Sequence, residues 1–268
     1  MPSPQAELPI RHAVALGVIQ GTAELLPVSS SAHLTVIPAL LGWPYARLGP
    51  ELRKAFEAAL HTGTAGAFVV VLRGEIAQAL RELDRPQALG AALALGPPAV
   101  AGLLLERPIE RRLGAPRHVA AVQILAGIAL AAADRRPADR GHAAAGPVDD
   151  LLLGLAQAAA LVPGVSRSGA TLTAARLRRV DRAGASRLSR DAALPVLLAA
   201  GGLKAVRLAR RGMPAGLWGP FTAGFGAAVL SAVAAKRLFQ RFEHGSSYAP
   251  LAAYRLAFGL LALYASRR

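Results

Sequence analysis

The chain has 268 residues, 53% of them hydrophobic, and carries 31 Lys and Arg against 16 Asp and Glu, for a formal net charge of +15. Such a charge would suit a nucleic-acid partner, but a mean hydropathy of +0.38 with 18% charged residues indicates a membrane protein whose basic residues lie at the ends of apolar segments. The absence of cysteine excludes disulfides, thiolate metal sites and cysteine nucleophiles.

Apolar segments follow the chain in a repeated order. No cleaved signal peptide is expected at the N-terminus. Two half-length segments, joined by a turn rich in Pro and Ser, come first. Three segments that we interpret as membrane spans follow, and 55–72 and 86–105 among them are long enough to cross about 30 Å of hydrocarbon. After a charged loop at 134–147 the same order recurs. The segments are 10–26, 31–42, 55–72, 86–105 and 118–133, then 148–162, 168–178, 191–209, 212–235 and 250–266.

An internal repeat supports this division into halves, about 1–140 and 141–268. When the chain is shifted by 137 residues against itself, seven of the sixteen positions from Leu16 to Ser31 are identical. Because each half holds an odd number of crossings, the second half is inverted relative to the first. We therefore expect a single all-α integral-membrane domain with six transmembrane helices and two re-entrant hairpins, ten helical pieces in all.

The basic residues do not decide the orientation, because nearly equal numbers fall on the two sides of this topology. Arginine clusters such as 111–112, 178–179 and 210–211 lie at segment ends, where snorkelling and contacts with membrane lipids explain them. Aromatic residues make up only 5% of the chain, so no stacking platform accompanies the arginines and no nucleic-acid partner is expected.

The turn of the first hairpin concentrates polar groups within an apolar stretch. In the sequence QGTAELLPVSSSAH, Gln20 and Glu24 share one helix face, and His33 shares a face of the next helix with Ser29 and Ser30. A carboxylate and an imidazole thus flank a serine turn. Ionisable groups at membrane depth are costly, which makes this turn a candidate functional site.

The turn of the second hairpin is suited to an anion. In PGVSRSGAT, a single arginine, Arg167, stands among hydroxyl groups and glycines. Free N–H groups at the start of a helix favour a negative charge, and a guanidinium binds phosphate through two hydrogen bonds. The residues expected to surround the anion are Ser166, Ser168, Gly169 and Thr171.

The two turns together predict a site for an amphiphilic phosphoanion within the membrane. Arg167 would hold phosphate, Ser29 or Ser30 could attack phosphorus, and His33 could exchange the proton. Glu24 would act as a base or bind a hard divalent cation, Mg²⁺ or Ca²⁺, whose other ligands would be diphosphate and water oxygens. Zinc is not expected, because cysteine and a close histidine pair are absent.

These motifs resemble those of the undecaprenyl-diphosphatase family, the bacitracin-resistance type of integral-membrane phosphatase. The resemblance rests on QGTAELLPVSSSAH at 20–33 and PGVSRSGAT at 163–171, with FEAALHTGT at 56–64 similar to the family's third helix. It implies hydrolysis of undecaprenyl diphosphate to undecaprenyl phosphate and inorganic phosphate. It also implies a multi-pass protein of the bacterial cytoplasmic membrane, with its site towards the outer face.

By motif position, the resemblance assigns roles residue by residue. Glu24 and Gln20 would form the acid–base and metal-associated pair, Ser30 the nucleophile and His33 its partner, with Arg167 binding phosphate. Secondary phosphate contacts would come from Ser29, Ser166, Ser168 and Thr171. The sequence leaves open whether Ser30 forms a covalent phosphoenzyme or positions water. It also leaves open whether the protein forms a homodimer.

Two positions depart from the family pattern. Gln20 cannot ionise, so a mechanism that needs two carboxylates would recruit another, such as Glu57. The segment 185–195, ASRLSRDAALP, carries Arg187, Arg190 and Asp191 where the family tends to be apolar. Either Asp191 lies near the N-terminus of an early helix, or these charges form a new headgroup site.

A transporter or lipid flippase is the competing interpretation, because inverted repeats with broken helices at the midplane are typical of transporters. The fold alone does not separate the two functions. A nucleophile beside a proton carrier, which Ser30 and His33 would supply, favours the phosphatase.

Overall fold

The computed structural model of the chain describes residues 8–81, 83–211, 216–243 and 247–266. Within these residues the protein is helical, with no β-strand, which confirms the all-α prediction. The helices are α1 (Ile10–Leu25), α2 (Ser30–Leu40), α3 (Pro50–Val71), α4 (Arg73–Arg81), α5 (Arg85–Leu113), α6 (Pro116–Asp134), α7 (Pro147–Ala159), α8 (Arg167–Leu177), α9 (Arg182–Arg211), α10 (Trp218–Glu243) and α11 (Ala249–Ala265).

Each apolar segment expected from the sequence corresponds to a helix, although residues 212–215 of the segment 212–235 lie outside the described residues. The described part of the chain has one helix more than the ten expected pieces, because α4 follows α3 after a single residue. Helix α4 carries Arg73, Glu75 and Arg81. Because these charges interrupt its apolar residues, α4 could not be predicted as an apolar segment.

Three helices in the described residues are long and apolar enough to cross a membrane: Arg85–Leu113, Pro116–Asp134 and Trp218–Ala235. Helix α11 is apolar but shorter, with 17 residues. Helices α3 and α9 have 22 and 30 residues, and charged side chains interrupt their apolar surfaces. The three long apolar helices indicate that the chain is a membrane protein.

The half-length helices α1 and α7 each pack along one long helix of the bundle. Helix α1 packs along α10, α7 packs along α5, and α6 pairs with α11, while α3 contacts both α9 and α10. Glycines permit the closest approaches: a side chain at Gly17 of α1 would meet the Gly224 carbonyl of α10, and one at Gly154 of α7 would meet the Leu93 carbonyl of α5. The two helical hairpins are thereby held towards each other.

Buried carboxylates join helix ends at one edge of the bundle. Asp134, at the end of α6, accepts hydrogen bonds from Arg182 Nε at 2.7 Å and from Tyr248 N at 2.9 Å. It therefore links the beginnings of α9 and α11 to the end of α6. We call this edge, which also contains the loop 135–146, the α9 edge.

A second carboxylate anchors the α7–α8 hairpin at the same edge. Asp149, in the first turn of α7, accepts from Arg140 Nη2 at 2.9 Å and from Arg178 Nε at 2.8 Å. Burial raises the pKa of this carboxyl, but the hydrogen bonds from the two arginines outweigh that effect and lower the pKa from its ordinary 3.8 to about 2. The hairpin is thus fixed to the loop before it.

The charged segment 185–195 belongs to an uninterrupted helix. Because α9 begins at Arg182, Asp191 lies more than two turns inside the helix, and not near its N-terminus as one of the two expectations had it. Arg187 and Asp191 are exposed and form an i,i+4 pair at 3.9 Å. Arg190 points towards another face, where its Nε lies 3.2 Å from Glu75 of α4.

Candidate active site

The two serine turns meet inside the bundle and have the same local geometry. Ser29 caps α2 and Ser166 caps α8, with φ angles of 70° and 69°. This left-handed conformation is uncommon for residues other than glycine. In each turn the capping hydroxyl accepts a backbone hydrogen bond, from Ala32 N at 3.4 Å and from Gly169 N at 3.3 Å. The strained caps direct the first N–H groups of two helices into the same region.

Arg255 of α11 ties the two turns together. Its side chain is fully buried, and it donates to the Pro27 carbonyl of the first turn at 2.9 Å. It also donates to the Gly164 and Val165 carbonyls of the second turn, at 2.8 and 2.7 Å. Sequence reasoning missed this residue, although a lone arginine within the apolar segment 250–266 was a signal for it.

Gln123 of α6 makes a contact of the same kind. Its Nε2 donates to the Val28 carbonyl of the first turn at 2.7 Å, and the side chain is fully buried. The carbonyl groups of the turns are thereby satisfied by side chains rather than by water. Irregular backbone at membrane depth is tolerated where it is paired in this way.

Glu24 is the centre of the site. Ser30 Oγ donates to Glu24 Oε2 at 2.7 Å, and Gln20 Nε2 donates to the same oxygen at 3.1 Å. Arg167 Nη2, from the other turn, lies 3.6 Å from Glu24 Oε1. The structure therefore brings together four of the five predicted catalytic side chains, and it places the carboxylate where it can accept the proton of the Ser30 hydroxyl.

His61 of α3 joins this group, although sequence reasoning did not assign it a role. Gln20 Nε2 donates to His61 Nδ1 at 3.0 Å, and this nitrogen lies 3.8 Å from Glu24 Oε2. Glu57, the carboxylate expected to compensate for Gln20, instead accepts a hydrogen bond from Tyr45 at 2.8 Å. The side chain that reaches Gln20 from α3 is thus a histidine one turn further along.

His33 lies on the other side of the first turn. Its Nδ1 is 2.7 Å from the Ser29 carbonyl, and its Nε2 is 2.6 Å from the Tyr254 hydroxyl. Because a carbonyl only accepts, Nδ1 carries a proton. The ring stacks on Phe258 at a centroid distance of 4.3 Å. Both ring nitrogens of His33 therefore have partners other than Ser30. The proton exchange between His33 and Ser30 stays a prediction.

Of the residues predicted to contact phosphate, some line the cavity and others are buried beneath it. Ser168 lines the cavity and donates to the Leu26 carbonyl at 3.2 Å. Thr171 is fully buried and lies 2.6 Å from Ser189 of α9, hydroxyl to hydroxyl. Gly169 provides space, because a side chain there would lie 2.5 Å from Arg255 Nη1. Ser29 and Ser166 are the buried caps.

An open cleft extends from Glu24 and Arg167 along α9 to Ser186 and Tyr248 near the α9 edge, and its empty space of about 820 Å³ includes open solvent. Its walls are mostly apolar, and they include Phe68, Leu72 and Leu197. A mostly apolar cavity that ends on a few polar groups is typical of a small-molecule site. This cavity suits a ligand with a charged head and an aliphatic chain.

The fold and the site define a helical membrane protein with a serine–carboxylate pair and an arginine at the end of an apolar cavity. Residues 13–261 match the family described as bacitracin resistance protein BacA. The chain belongs to this family.

Relatives that resemble the chain over nearly its full length carry the name undecaprenyl-diphosphatase. The protein from Geobacter sulfurreducens is 39% identical over 93% of this chain and 96% of its own length. The protein from Chromohalobacter salexigens is 39% identical over 94% of this chain and 97% of its own. The protein from Campylobacter concisus is 34% identical over 95% and 98%, respectively.

Proposed function

We propose that the chain hydrolyses undecaprenyl diphosphate to undecaprenyl phosphate and inorganic phosphate, and so recycles the lipid carrier of cell-wall synthesis. The family and the names of the relatives support this activity. The observation that carries it is the 2.7 Å hydrogen bond from Ser30 to Glu24, with Arg167 at the other oxygen of the same carboxylate. A transporter would not need such a nucleophile–base pair.

In the first step the terminal phosphate displaces Glu24 as the partner of Arg167, whose planar guanidinium donates two hydrogen bonds to it. Ser30 Oγ forms a bond to the terminal phosphorus while its proton passes to Glu24. The bond between phosphorus and the bridging oxygen breaks, and the electron pair leaves with the lipid monophosphate, which takes the proton. Amide groups at the start of α2 and α8 stabilise the developing charge.

In the second step water forms a bond to phosphorus while Glu24 accepts one of its protons. The bond between phosphorus and Ser30 Oγ then breaks, Glu24 returns the proton to Oγ, and inorganic phosphate is released. Gln20 holds Glu24 through its amide nitrogen, and His61 accepts the second proton of that amide. The two contacts fix the amide so that its nitrogen faces the carboxylate. Glu24 is thereby held in one orientation for both steps.

A divalent cation, Mg²⁺ or Ca²⁺, is compatible with the donor groups at this site. Glu24 supplies one carboxylate, and the buried Gln20 Oε1 has no hydrogen-bond partner among the described residues. No group of three or more His, Cys, Asp or Glu side chains that could hold a metal occurs there, so diphosphate and water would complete the ligands, as is common for Mg²⁺. The cation would neutralise phosphate charge.

Contacts that recur in the two halves support an inverted repeat, which we propose as the architecture. The caps Ser29 and Ser166 are 137 residues apart, as are the glycines Gly17 and Gly154, and each glycine packs on a carbonyl of the other half. Gln123 donates to Val28, whereas Arg255 donates to Val165. We infer six crossings, made by α3, α5, α6, α9, α10 and α11, with the α1–α2 and α7–α8 hairpins re-entrant.

We propose that the α9 edge faces the outside of the cytoplasmic membrane, because the cavity extends to Ser186 and Tyr248 at that edge. The chain has no cysteine, so single introduced cysteines can report the topology without background labelling of native residues. Cysteine in place of Arg135, at the α9 edge, should react with an impermeant maleimide in intact cells. Cysteine in place of Arg111, at the other end of the bundle, should react only after permeabilisation, and the reverse pattern would refute this orientation.

The activity is tested by phosphate release from undecaprenyl diphosphate in detergent, with and without a chelator. We expect the purified protein to release one phosphate per lipid, and Ser30→Ala and Arg167→Ala to lose most of this activity. Arg187→Ala, on the exposed face of α9, is the matched control for Arg167. If the wild type releases no phosphate with any of the cations, the proposed function is wrong.

A further inference from the structure

The cavity contains a second arginine, Arg190, which the catalytic arrangement does not use. Arg167 and Glu24 line one part of it, and Ser186, Ser189 and Arg190 of α9 line another part, towards the α9 edge. The Arg190 side chain is 25% exposed, compared with 62% for Arg187 one turn earlier. Of these two neighbouring arginines, Arg190 lines the cavity and Arg187 faces outwards.

The contacts between α8 and α9 fix the relative positions of Arg167 and Arg190 along the bundle. Thr171 follows Arg167 by about one helical turn, or roughly 6 Å, in the direction of the α9 edge. Its hydroxyl lies 2.6 Å from that of Ser189, the residue before Arg190. The backbone of Arg190 therefore lies about one turn nearer the α9 edge than that of Arg167, so the two arginines line the cavity at successive levels.

One ion-pair partner of Arg190 is a carboxylate that a phosphate can displace. Glu75 Oε2 of α4 lies 3.2 Å from Arg190 Nε, and the Glu75 side chain is 49% exposed. Ion pairs with a solvated partner contribute little free energy. Phosphate offers a guanidinium two charged hydrogen bonds in one plane, so a lipid phosphate in the cavity would compete well with Glu75.

We propose that Arg190 forms a second phosphate subsite, which binds the lipid-linked phosphate of a diphosphate while Arg167 binds the terminal one. This inference rests on the proposed function. When the bridging bond breaks, the lipid monophosphate carries the new negative charge, and Arg190 lies where it can stabilise that leaving group. The subsite selects diphosphates over monophosphates, and it also binds the lipid product.

Arg190→Gln and Arg187→Gln test the subsite by steady-state hydrolysis of undecaprenyl diphosphate. Loss of a charged, bidentate contact should raise KM about 10- to 100-fold in Arg190→Gln, whereas Arg187→Gln should behave as the wild type does. Inhibition by undecaprenyl phosphate should weaken by a similar factor in Arg190→Gln. Inhibition by inorganic phosphate, which binds at Arg167, should remain unchanged.

A second variant keeps the test valid if Arg190→Gln does not fold. Glu75→Gln removes the competing carboxylate from an exposed position, so KM should fall about twofold to fivefold. Equal KM values for Arg190→Gln, Arg187→Gln and the wild type would overturn the subsite, as would an unchanged KM in Glu75→Gln. Absence of hydrolysis by the wild type would instead overturn the proposed function.

Discussion

Replacing Glu24 with Gln changes one oxygen of the carboxylate that accepts the Ser30 hydroxyl at 2.7 Å. The amide keeps the shape of the side chain but cannot take the proton. Loss of a general base lowers the turnover number about 10²- to 10⁴-fold, which corresponds to about 2.7–5.4 kcal/mol in the activation free energy. Arg167 also loses its 3.6 Å partner, so phosphate binding should not weaken, and KM should stay constant or fall.

Glu57→Gln is the matched control for this experiment. Glu57 is also a carboxylate of the bundle interior, but it accepts from Tyr45 and not from a serine of the turns. Its replacement should leave the turnover number within about threefold of the wild type. Rapid-quench measurements with lipid labelled in the terminal phosphate would report the first step directly. A Glu24→Gln protein with a normal turnover number and a raised KM would refute the assignment of Glu24 as the base.

Two further variants concern the support of the site. Arg255→Met leaves three turn carbonyls without their donor. Each unsatisfied carbonyl lowers the free energy of unfolding by about 1–3 kcal/mol, so we expect a lower Tm in detergent and little activity. An unchanged Tm would contradict this role of Arg255. Asp149→Asn removes the carboxyl whose pKa is lowered to about 2. That carboxylate stabilises the fold above about pH 4, and its contribution disappears as the pH falls towards 2, so the unfolding free energy of the variant should depend less on pH in this window.

The placement of charges along the chain was enough to predict most of the helices, because a membrane requires long apolar runs between polar ends. It missed α4, whose Arg and Glu residues resemble those of an aqueous loop. The 137-residue repeat predicts that the two serine turns lie together, and the hydrogen bond from Ser168 to the Leu26 carbonyl confirms this. The turns also share one geometry, because the same local sequence, a serine at the helix start, produces the same cap in both halves.

The partners within the site were harder to predict. Ser30 and Glu24 lie six residues apart, but a broken helix gives no fixed spacing, and the sequence suggested His33 as the partner of Ser30. The contact between Gln20 and His61 spans 41 residues, and it depends on how α3 packs against α1. Such contacts follow from tertiary packing and not from any local pattern, which explains why Glu57 was expected in the place that His61 occupies.

The position of Arg255 has a consequence for how the protein is made. Its bonds to Pro27 and Gly164 span 228 and 91 residues, and it lies on the last helix of the bundle. During synthesis, both serine turns enter the membrane long before the side chain that joins them. The two turns are therefore joined through this side chain only after α11 has been inserted, and we expect the complete site to form at that stage.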